Sequence, residues 1–257
     1  MIPWFQFTTV HIGPLPIQVW GFFVAMGMLV SMILIRREAT KRAVPVDPLL
    51  DVALKMIIYG VIGARLFHIF FYEPAFFIAH PAEIIAIWHG GLSSFGGLLG
   101  AMLAFFIALK RKKIQTQFLT IYGNIIAYSA LFGWMVGRIG CLMIHDHLGK
   151  ESECFLAFDS PQGKRLDLAL LEILGLVPLA IAFFVLKKKK KEDLFAPLLF
   201  VYYGLLRFIL DFWRAEASFA TGDVRYLGLT PAQYFAMVLV VFGVFLYKKR
   251  PLLKKVS

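Results

Sequence analysis

The chain has 257 residues, of which 60% are hydrophobic, 16% aromatic and only 17% charged. Soluble domains are usually about 45–50% apolar and about 25% charged, so a soluble fold of this length would lack the polar surface to cover its core. Two cysteines exclude a disulfide scaffold, and the many large apolar side chains exclude disorder. The net charge of +11 comes from short basic runs between apolar stretches, a pattern typical of membrane-protein loops rather than of nucleic-acid binding. The composition predicts an all-α integral membrane protein.

Seven stretches are long and apolar enough to span a bilayer, since a span needs about 20 such residues. The seven transmembrane helices are predicted at residues 17–35, 49–72, 92–109, 118–142, 168–186, 194–212 and 232–247. Residues 74–88 contain prolines and Glu83, which favours an interfacial helix over a span. We therefore expect a single polytopic membrane domain over residues 1–257, with a small head region at about 143–167.

The basic residues also predict an orientation. Most lysines and arginines follow the first, third, fifth and seventh spans, which places the C-terminus in the cytoplasm and the N-terminus outside. The first nine residues carry no positive charge and no small-residue cleavage site follows, so no cleavable signal peptide is expected. Cys141 and Cys154 then lie at or beyond the outer face, where an oxidising compartment would permit a disulfide between them.

Charged residues inside predicted spans are costly and usually face a cavity or a partner. Arg138 and Arg207 lie near the outer ends of two different spans, and Asp211 follows Arg207 by one helical turn, so those two can pair. For Arg65 and Arg214 two roles fit equally well: binding a ligand, or reaching from a helix end to the phosphate of lipid head groups. Because a guanidinium binds phosphate through two parallel hydrogen bonds, Arg138 and Arg207 together predict a lipid-phosphate site.

Two further patterns leave alternatives open. The residue types of His145, Asp146 and His147 suit zinc, although neighbours in a row rarely all reach one ion. The glycine-rich stretch 90–100 opens the third span, where small residues allow a close approach of another helix or of a ligand.

Several motifs together resemble the signature of the bacterial prolipoprotein diacylglyceryl transferase family. They occur in the family's order over residues 13–247 and agree with the predicted topology. The motifs are Gly-Arg-Ile-Gly at 137–140 with Gly149 after it, the Tyr-to-Arg stretch 203–214, the glycines of 90–100, Gly-Ala-Arg at 63–65, and the segments 165–172 and 228–233.

The resemblance implies an enzyme of the bacterial cytoplasmic (inner) membrane that works toward its periplasmic side. It would transfer a diacylglyceryl group from phosphatidylglycerol to the lipobox cysteine thiol of preprolipoproteins, releasing glycerol phosphate. Its partners would be phosphatidylglycerol, the lipobox peptide and membrane lipids, with no nucleic acid, metal or soluble cofactor. The residues that the resemblance assigns to substrate binding are Arg65, Gly96, Gly97, Arg138, Gly149, Glu172, Tyr203, Arg207 and Asp211.

This chain departs from the family pattern near the acceptor chemistry. The departures are Phe95 for a histidine, Cys141 for an asparagine, Asp146 for a glutamate and Trp20 for a tyrosine. We hypothesise that the base that ionises the acceptor thiol has moved to His145 or His147, because a histidine near its usual pKa of about 6.5 suits that role. The predicted catalytic residues are then His145, Asp146, His147, Arg138 and Arg207.

Three other functions fit parts of the sequence. The changed residues near the acceptor chemistry leave open a phospholipid-using transferase of the same fold with a different acceptor. Seven spans also suit a transporter or receptor. A metal-dependent membrane hydrolase would use His145, Asp146 and His147 as ligands.

Overall fold

The computed structural model describes residues 1–13, 15–86, 90–111, 116–215 and 225–254, with the side chains of 94, 95, 109, 111, 116–119 and 250–254 left aside. The protein is mostly helical. The helices are α1 (Val19–Lys41), α2 (Val46–Phe71), α3 (Pro74–Ala79), α4 (Ser94–Arg111), α5 (Thr116–Ile144), α6 (Leu168–Lys188), α7 (Phe195–Leu210) and α8 (Pro231–Lys254). The strands are β1 (Thr9–Ile12), β2 (Leu15–Gln18), β3 (Leu148–Glu151), β4 (Phe158–Ser160) and β5 (Gly163–Asp167).

Five helical segments among the described residues are long and apolar enough to cross a membrane. They are Val19–Lys41, Thr120–Ile144, Leu168–Lys188, Glu192–Trp213 and Pro231–Lys249. They coincide with five of the seven predicted spans. The other two predictions fall on α2, which carries Asp51, Lys55 and Arg65, and on α4, whose apolar part Gly96–Ala108 is shorter. That these two helices cross the membrane stays a prediction.

The chain divides into two compact units, residues 1–34 with 123–257 and residues 35–122. In the first unit, α5, α6 and α7 share an apolar core centred on Phe183 and Phe195, both fully buried with ring centroids 4.6 Å apart. Leu131 and Tyr128 of α5 pack against them. This core fixes the three helices that carry the polar residues described below.

The predicted head region contains a small sheet. The strand order is β3-β5-β4, and both pairs are antiparallel. The sheet ends directly at α6, because Asp167 closes β5 and its carboxylate caps α6 by accepting the backbone N–H groups of Ala169 and Leu170. Residues near the N-terminus extend the head, since Ile2 bonds to the backbone of Ala157 and Asp159.

In the second unit, α2 and α4 pack so closely that glycines are required between them. A Cβ on Gly63 would lie 3.1 Å from the Cα of Gly100. Gly96 likewise has no room for a side chain, because the Gly63 carbonyl and the Phe67 Cβ occupy that space. The predicted interfacial segment forms α3 and the short 3₁₀ turn Pro81–Ile84, and its end at Trp88 lies outside the described residues.

Candidate active site

The carboxylate of Glu172 joins the two arginines that the sequence predicts to act together. Glu172 lies in the second turn of α6 and is completely buried. Arg138 donates from Nε to Oε1 at 2.9 Å, and Arg207 donates from a terminal nitrogen to Oε2 at 3.1 Å. The two guanidinium groups, from α5 and α7, therefore converge on one anionic group. In the structure that group is the protein's own carboxylate.

Two aromatic side chains complete the surroundings of Glu172. Trp134 donates its indole N–H to Oε1 at 2.7 Å, and Tyr203 donates its hydroxyl to the same oxygen at 3.1 Å. Trp134 lies one turn before Arg138, whose guanidinium carbon is 4.9 Å from the indole centroid. Tyr203 was predicted, whereas Trp134 was missed. The i,i+4 spacing of Trp134 and Arg138 is the signal that could have indicated it.

Asp211 forms a second buried acidic centre at the C-terminal end of α7. Arg207 approaches Oδ1 at 3.4 Å, which confirms the pairing predicted from their spacing, and Arg214 approaches the same oxygen at 3.9 Å. The Thr230 hydroxyl donates to the other oxygen, Oδ2. Arg207 therefore lies between two buried carboxylates that fix its orientation.

Thr230 and Gln233, which belong to the motif segment 228–233 but were not predicted to contact Asp211, anchor Asp211 to the start of α8. The two residues form a reciprocal capping box: the Gln233 N–H donates to the Thr230 hydroxyl oxygen, and the Gln233 side-chain oxygen accepts the Thr230 N–H at 3.0 Å. The Gln233 side-chain amide also donates to the Phe208 carbonyl at 3.2 Å. The Thr-x-x-Gln pattern before an apolar run could have indicated this cap.

Three guanidinium groups and two buried carboxylates form this cluster. Arg138, Arg207 and Arg214 face the buried carboxylates of Glu172 and Asp211, so positive charge exceeds negative charge by one within this set. Neither carboxylate uses all the N–H groups that a guanidinium offers. The arrangement can hold a phosphate through arginines that are already oriented before it binds.

Cys141, Asp146 and His147 lie together beside this arginine cluster. One ligand-type atom from each residue lies within 4.8 Å of the others, so the three could hold a metal ion by spacing. However, a terminal nitrogen of Arg138 is 3.6 Å from the Cys141 sulfur, and the fields of Arg138, Arg207 and Arg214 all act on His147. After pairing with Glu172 and Asp211, these arginines leave one positive charge in excess, which opposes a divalent cation there.

Burial and nearby charges change the proton affinities of Asp146 and His147. Burial raises the pKa of Asp146 to about 6, even though Arg138 favours its charged form. Burial, together with the positive charges of Arg138, Arg214 and Arg207, holds the pKa of His147 well below its usual value. At neutral pH the imidazole of His147 is therefore uncharged.

Gly149 lies where β3 meets the end of the α7 segment. It pairs with Arg214 in an isolated antiparallel bridge, and a Cβ on Gly149 would lie 2.5 Å from the Trp213 carbonyl oxygen. The backbone before Arg214 can therefore approach the head sheet this closely only because residue 149 is a glycine. That Gly149 shapes a substrate site stays a prediction.

The remaining predicted binding residues belong to the second compact unit. Arg65 is buried there, and its N–H groups donate to backbone carbonyls in residues 83–91, including Ile84 at 3.1 Å and Gly91 at 3.0 Å. These contacts occupy the guanidinium and connect it to the described residues on both sides of 87–89. Gly96 and Gly97 lie in the first turn of α4, and Gly97 has ordinary space, with Ala64 3.6 Å from a Cβ placed on it. The side chain of Phe95 lies outside the described part of the chain.

Both cysteines are free thiols in the structure, Cys141 buried and Cys154 exposed. The disulfide that the sequence permits between them is not formed.

The helices and the arginine cluster define a class: a multi-pass membrane protein with buried arginines and carboxylates on its apolar helices. Comparison with known proteins identifies the family within that class. The family model for prolipoprotein diacylglyceryl transferase matches residues 8–248. The chain belongs to the prolipoprotein diacylglyceryl transferase family, which confirms the family predicted from its motifs.

Curated relatives carry the same name in several genera. A phosphatidylglycerol–prolipoprotein diacylglyceryl transferase of Staphylococcus saprophyticus is 28% identical over 91% of this chain and 85% of its own length. Relatives of that name from Chloroherpeton thalassium and Bordetella parapertussis are each 29% identical, and the alignments cover 91% and 94% of this chain and 88% and 94% of theirs. The chain is thus a divergent member that matches its relatives over nearly their whole length.

Proposed function

We propose that the protein transfers the diacylglyceryl group of phosphatidylglycerol to the lipobox cysteine thiol of a preprolipoprotein and releases glycerol phosphate. The family match and the names of the relatives support this reaction. The structural observation that carries it is the convergence of Arg138 and Arg207, from two apolar helices, on a single carboxylate. Guanidinium groups held in this way suit a phosphodiester head group that enters from the bilayer.

In the proposed reaction the thiolate attacks the glyceryl carbon that carries the phosphate ester. A sulfur–carbon bond forms, the carbon–oxygen bond breaks, and the electron pair leaves with the phosphate. Arg138 and Arg207 would stabilise the charge that grows on this leaving group, since fixed donors act strongly where water is scarce. Glu172, Tyr203 and Asp211 would hold the arginines in place.

The test is an assay of the purified protein with phosphatidylglycerol vesicles and a lipobox peptide. We expect release of glycerol phosphate and an equal amount of peptide that has gained one diacylglyceryl group, measured by mass spectrometry. Glycerol phosphate release without peptide modification would favour the same fold with another acceptor. No consumption of phosphatidylglycerol would contradict the proposal and favour a transporter or receptor.

We further propose seven transmembrane helices in a single polytopic domain, with the N-terminus outside, the C-terminus in the cytoplasm and the head region 143–167 on the periplasmic side of the inner membrane. The positions of the basic loops support this orientation. The segment around α3 would lie in the membrane interface, where its exposed Phe76 and Ile78 contact lipid.

The exposed thiol of Cys154 offers a direct test of this orientation. We expect a membrane-impermeant maleimide to label Cys154 from the periplasmic side of intact cells whose outer membrane has been permeabilised. A Cys154→Ser variant is the matched control, because buried Cys141 should stay unlabelled. Labelling that requires disruption of the inner membrane would reverse the proposed topology.

A further inference from the structure

Two histidines flank Asp146 after the end of α5, and the structure gives them different surroundings. The His145 side chain is completely buried and its Nδ1 lies 2.7 Å from the Asp167 carboxylate. Its ring stacks on Trp4, with centroids 4.2 Å apart, and contacts Phe158 edge-on at 4.7 Å. Because Asp167 also caps α6, His145 joins the head region to the helix that carries Glu172. It is enclosed where no substrate thiol can reach it.

The His147 ring remains partly accessible, with 24% of its side-chain surface exposed. Its Nδ1 lies 2.8 Å from the backbone carbonyl oxygen of Asp146. A carbonyl oxygen only accepts hydrogen bonds, so this contact assigns the ring proton to Nδ1. The lone pair of the neutral ring is then on Nε2, the atom that can take up a proton.

The groups that face His147 come from each neighbouring element of the site. They are Arg138 and Cys141 of α5, Asp146 next to His147 in the chain, Arg207 of α7 and Arg214 after α7. The same arginines would bind the phosphate of the lipid substrate. An anion there would offset their positive charge, so substrate binding would raise the proton affinity of His147 at the moment when a proton must be accepted.

We propose that Nε2 of His147 accepts the proton of the acceptor thiol, and that Asp146 is a positioning residue for it. This assignment rests on the proposed transferase function. The S–H proton passes to Nε2, the resulting thiolate forms the sulfur–carbon bond, and the phosphate leaves with the electron pair of the broken carbon–oxygen bond. The Asp146 carboxylate, 3.6 Å from Nδ1, stabilises the imidazolium until its proton passes to water or to the released glycerol phosphate.

The test compares His147→Gln with the wild-type protein on two acceptor peptides, one with the lipobox cysteine and one with selenocysteine at that position. At pH 7 about 3% of a thiol with a pKa of about 8.5 is already ionised, so we expect the variant to be roughly 30-fold slower with the cysteine peptide. A selenol is ionised at neutral pH without a base, so the variant should work at nearly the wild-type rate with the selenocysteine peptide. That second activity also shows that the variant is folded. His11→Gln, an exposed change in β1, is the matched control and should behave as wild type.

A pH series gives a second readout. Raising the pH toward the thiol pKa of about 8.5 ionises the cysteine peptide without help, so the defect of His147→Gln should shrink with rising pH. Wild-type rates for the cysteine peptide at pH 7, or an equal defect on both peptides, would overturn the assignment to His147. If the wild-type protein itself modifies neither peptide and consumes no phosphatidylglycerol, the transferase function fails instead.

Discussion

Replacing Arg138 with alanine is expected to lower the rate of diacylglyceryl transfer by about 10²- to 10³-fold, the usual effect of removing one fixed donor from a site where negative charge develops. Arg138 has the geometry for this role, because its Nε is committed to Glu172 at 2.9 Å while the rest of its guanidinium faces Cys141 and the surroundings of His147. The measurement is glycerol phosphate release from phosphatidylglycerol at saturating lipobox peptide.

Arg138→Lys separates charge from geometry. Lysine keeps the positive charge but loses the planar pair of donors, so it should recover only part of the rate. Lys164→Ala provides the control for a lost positive charge, because Lys164 is a half-buried residue of β5 in the head region, paired with Glu153. The activity of this variant should equal that of the wild type. An Arg138→Ala protein that keeps the wild-type rate would remove the proposed phosphate site.

The sequence predicts the positions of the helices well, because each of these helices forms from one continuous apolar stretch of the chain. A long apolar stretch is enough to predict a helix, and the predicted boundaries of 168–186 and 49–72 differ by only a few residues from those of α6 and α2. The pairing of Arg207 with Asp211 is equally local, since residues four apart share one helix face. Interactions within one turn can be deduced from spacing.

The partners of Glu172 could not be deduced in this way. The four side chains that donate to it lie 31 to 38 residues away along the chain, on α5 and α7. Glu172 itself was predicted to bind substrate from the family resemblance, but its role as the shared counter-ion of Arg138 and Arg207 depends on how three helices pack. Trp134 was overlooked because in sequence it is one more apolar residue of a span, although it lies one helical turn before Arg138.

The two histidines show a further limit. His145 and His147 are two residues apart and equivalent by sequence, yet one is enclosed by aromatic rings and the other lies beside the arginines. A positive φ of 52° at His145 turns the chain at the end of α5 and contributes to this separation. Such a backbone conformation is rare for a residue other than glycine, and no local pattern in the sequence indicates it.

Glu172→Gln is expected to destabilise the protein by about 3–5 kcal/mol, the range for breaking a buried ion pair by removing one partner. The change leaves Arg138 and Arg207 without their common carboxylate, and the new amide group points N–H donors at other donors. Thermal unfolding can be followed with a thiol-reactive dye that reports the exposure of buried Cys141, in a Cys154→Ser background.

Glu153→Gln is the matched control, because the Glu153 side chain is 80% exposed and its surface pair with Lys164 contributes little to stability. Phosphatidylglycerol should raise the unfolding temperature of Glu172→Gln more than that of the wild type, since the phosphate supplies the negative charge that the arginines have lost. An unfolding temperature equal to that of the wild type would show that the Glu172 carboxylate does not stabilise the two guanidinium groups. If the lipid raised the unfolding temperature of both proteins equally, the phosphate would bind away from Arg138 and Arg207. Only an anion that replaces the missing carboxylate stabilises the variant more than the wild type.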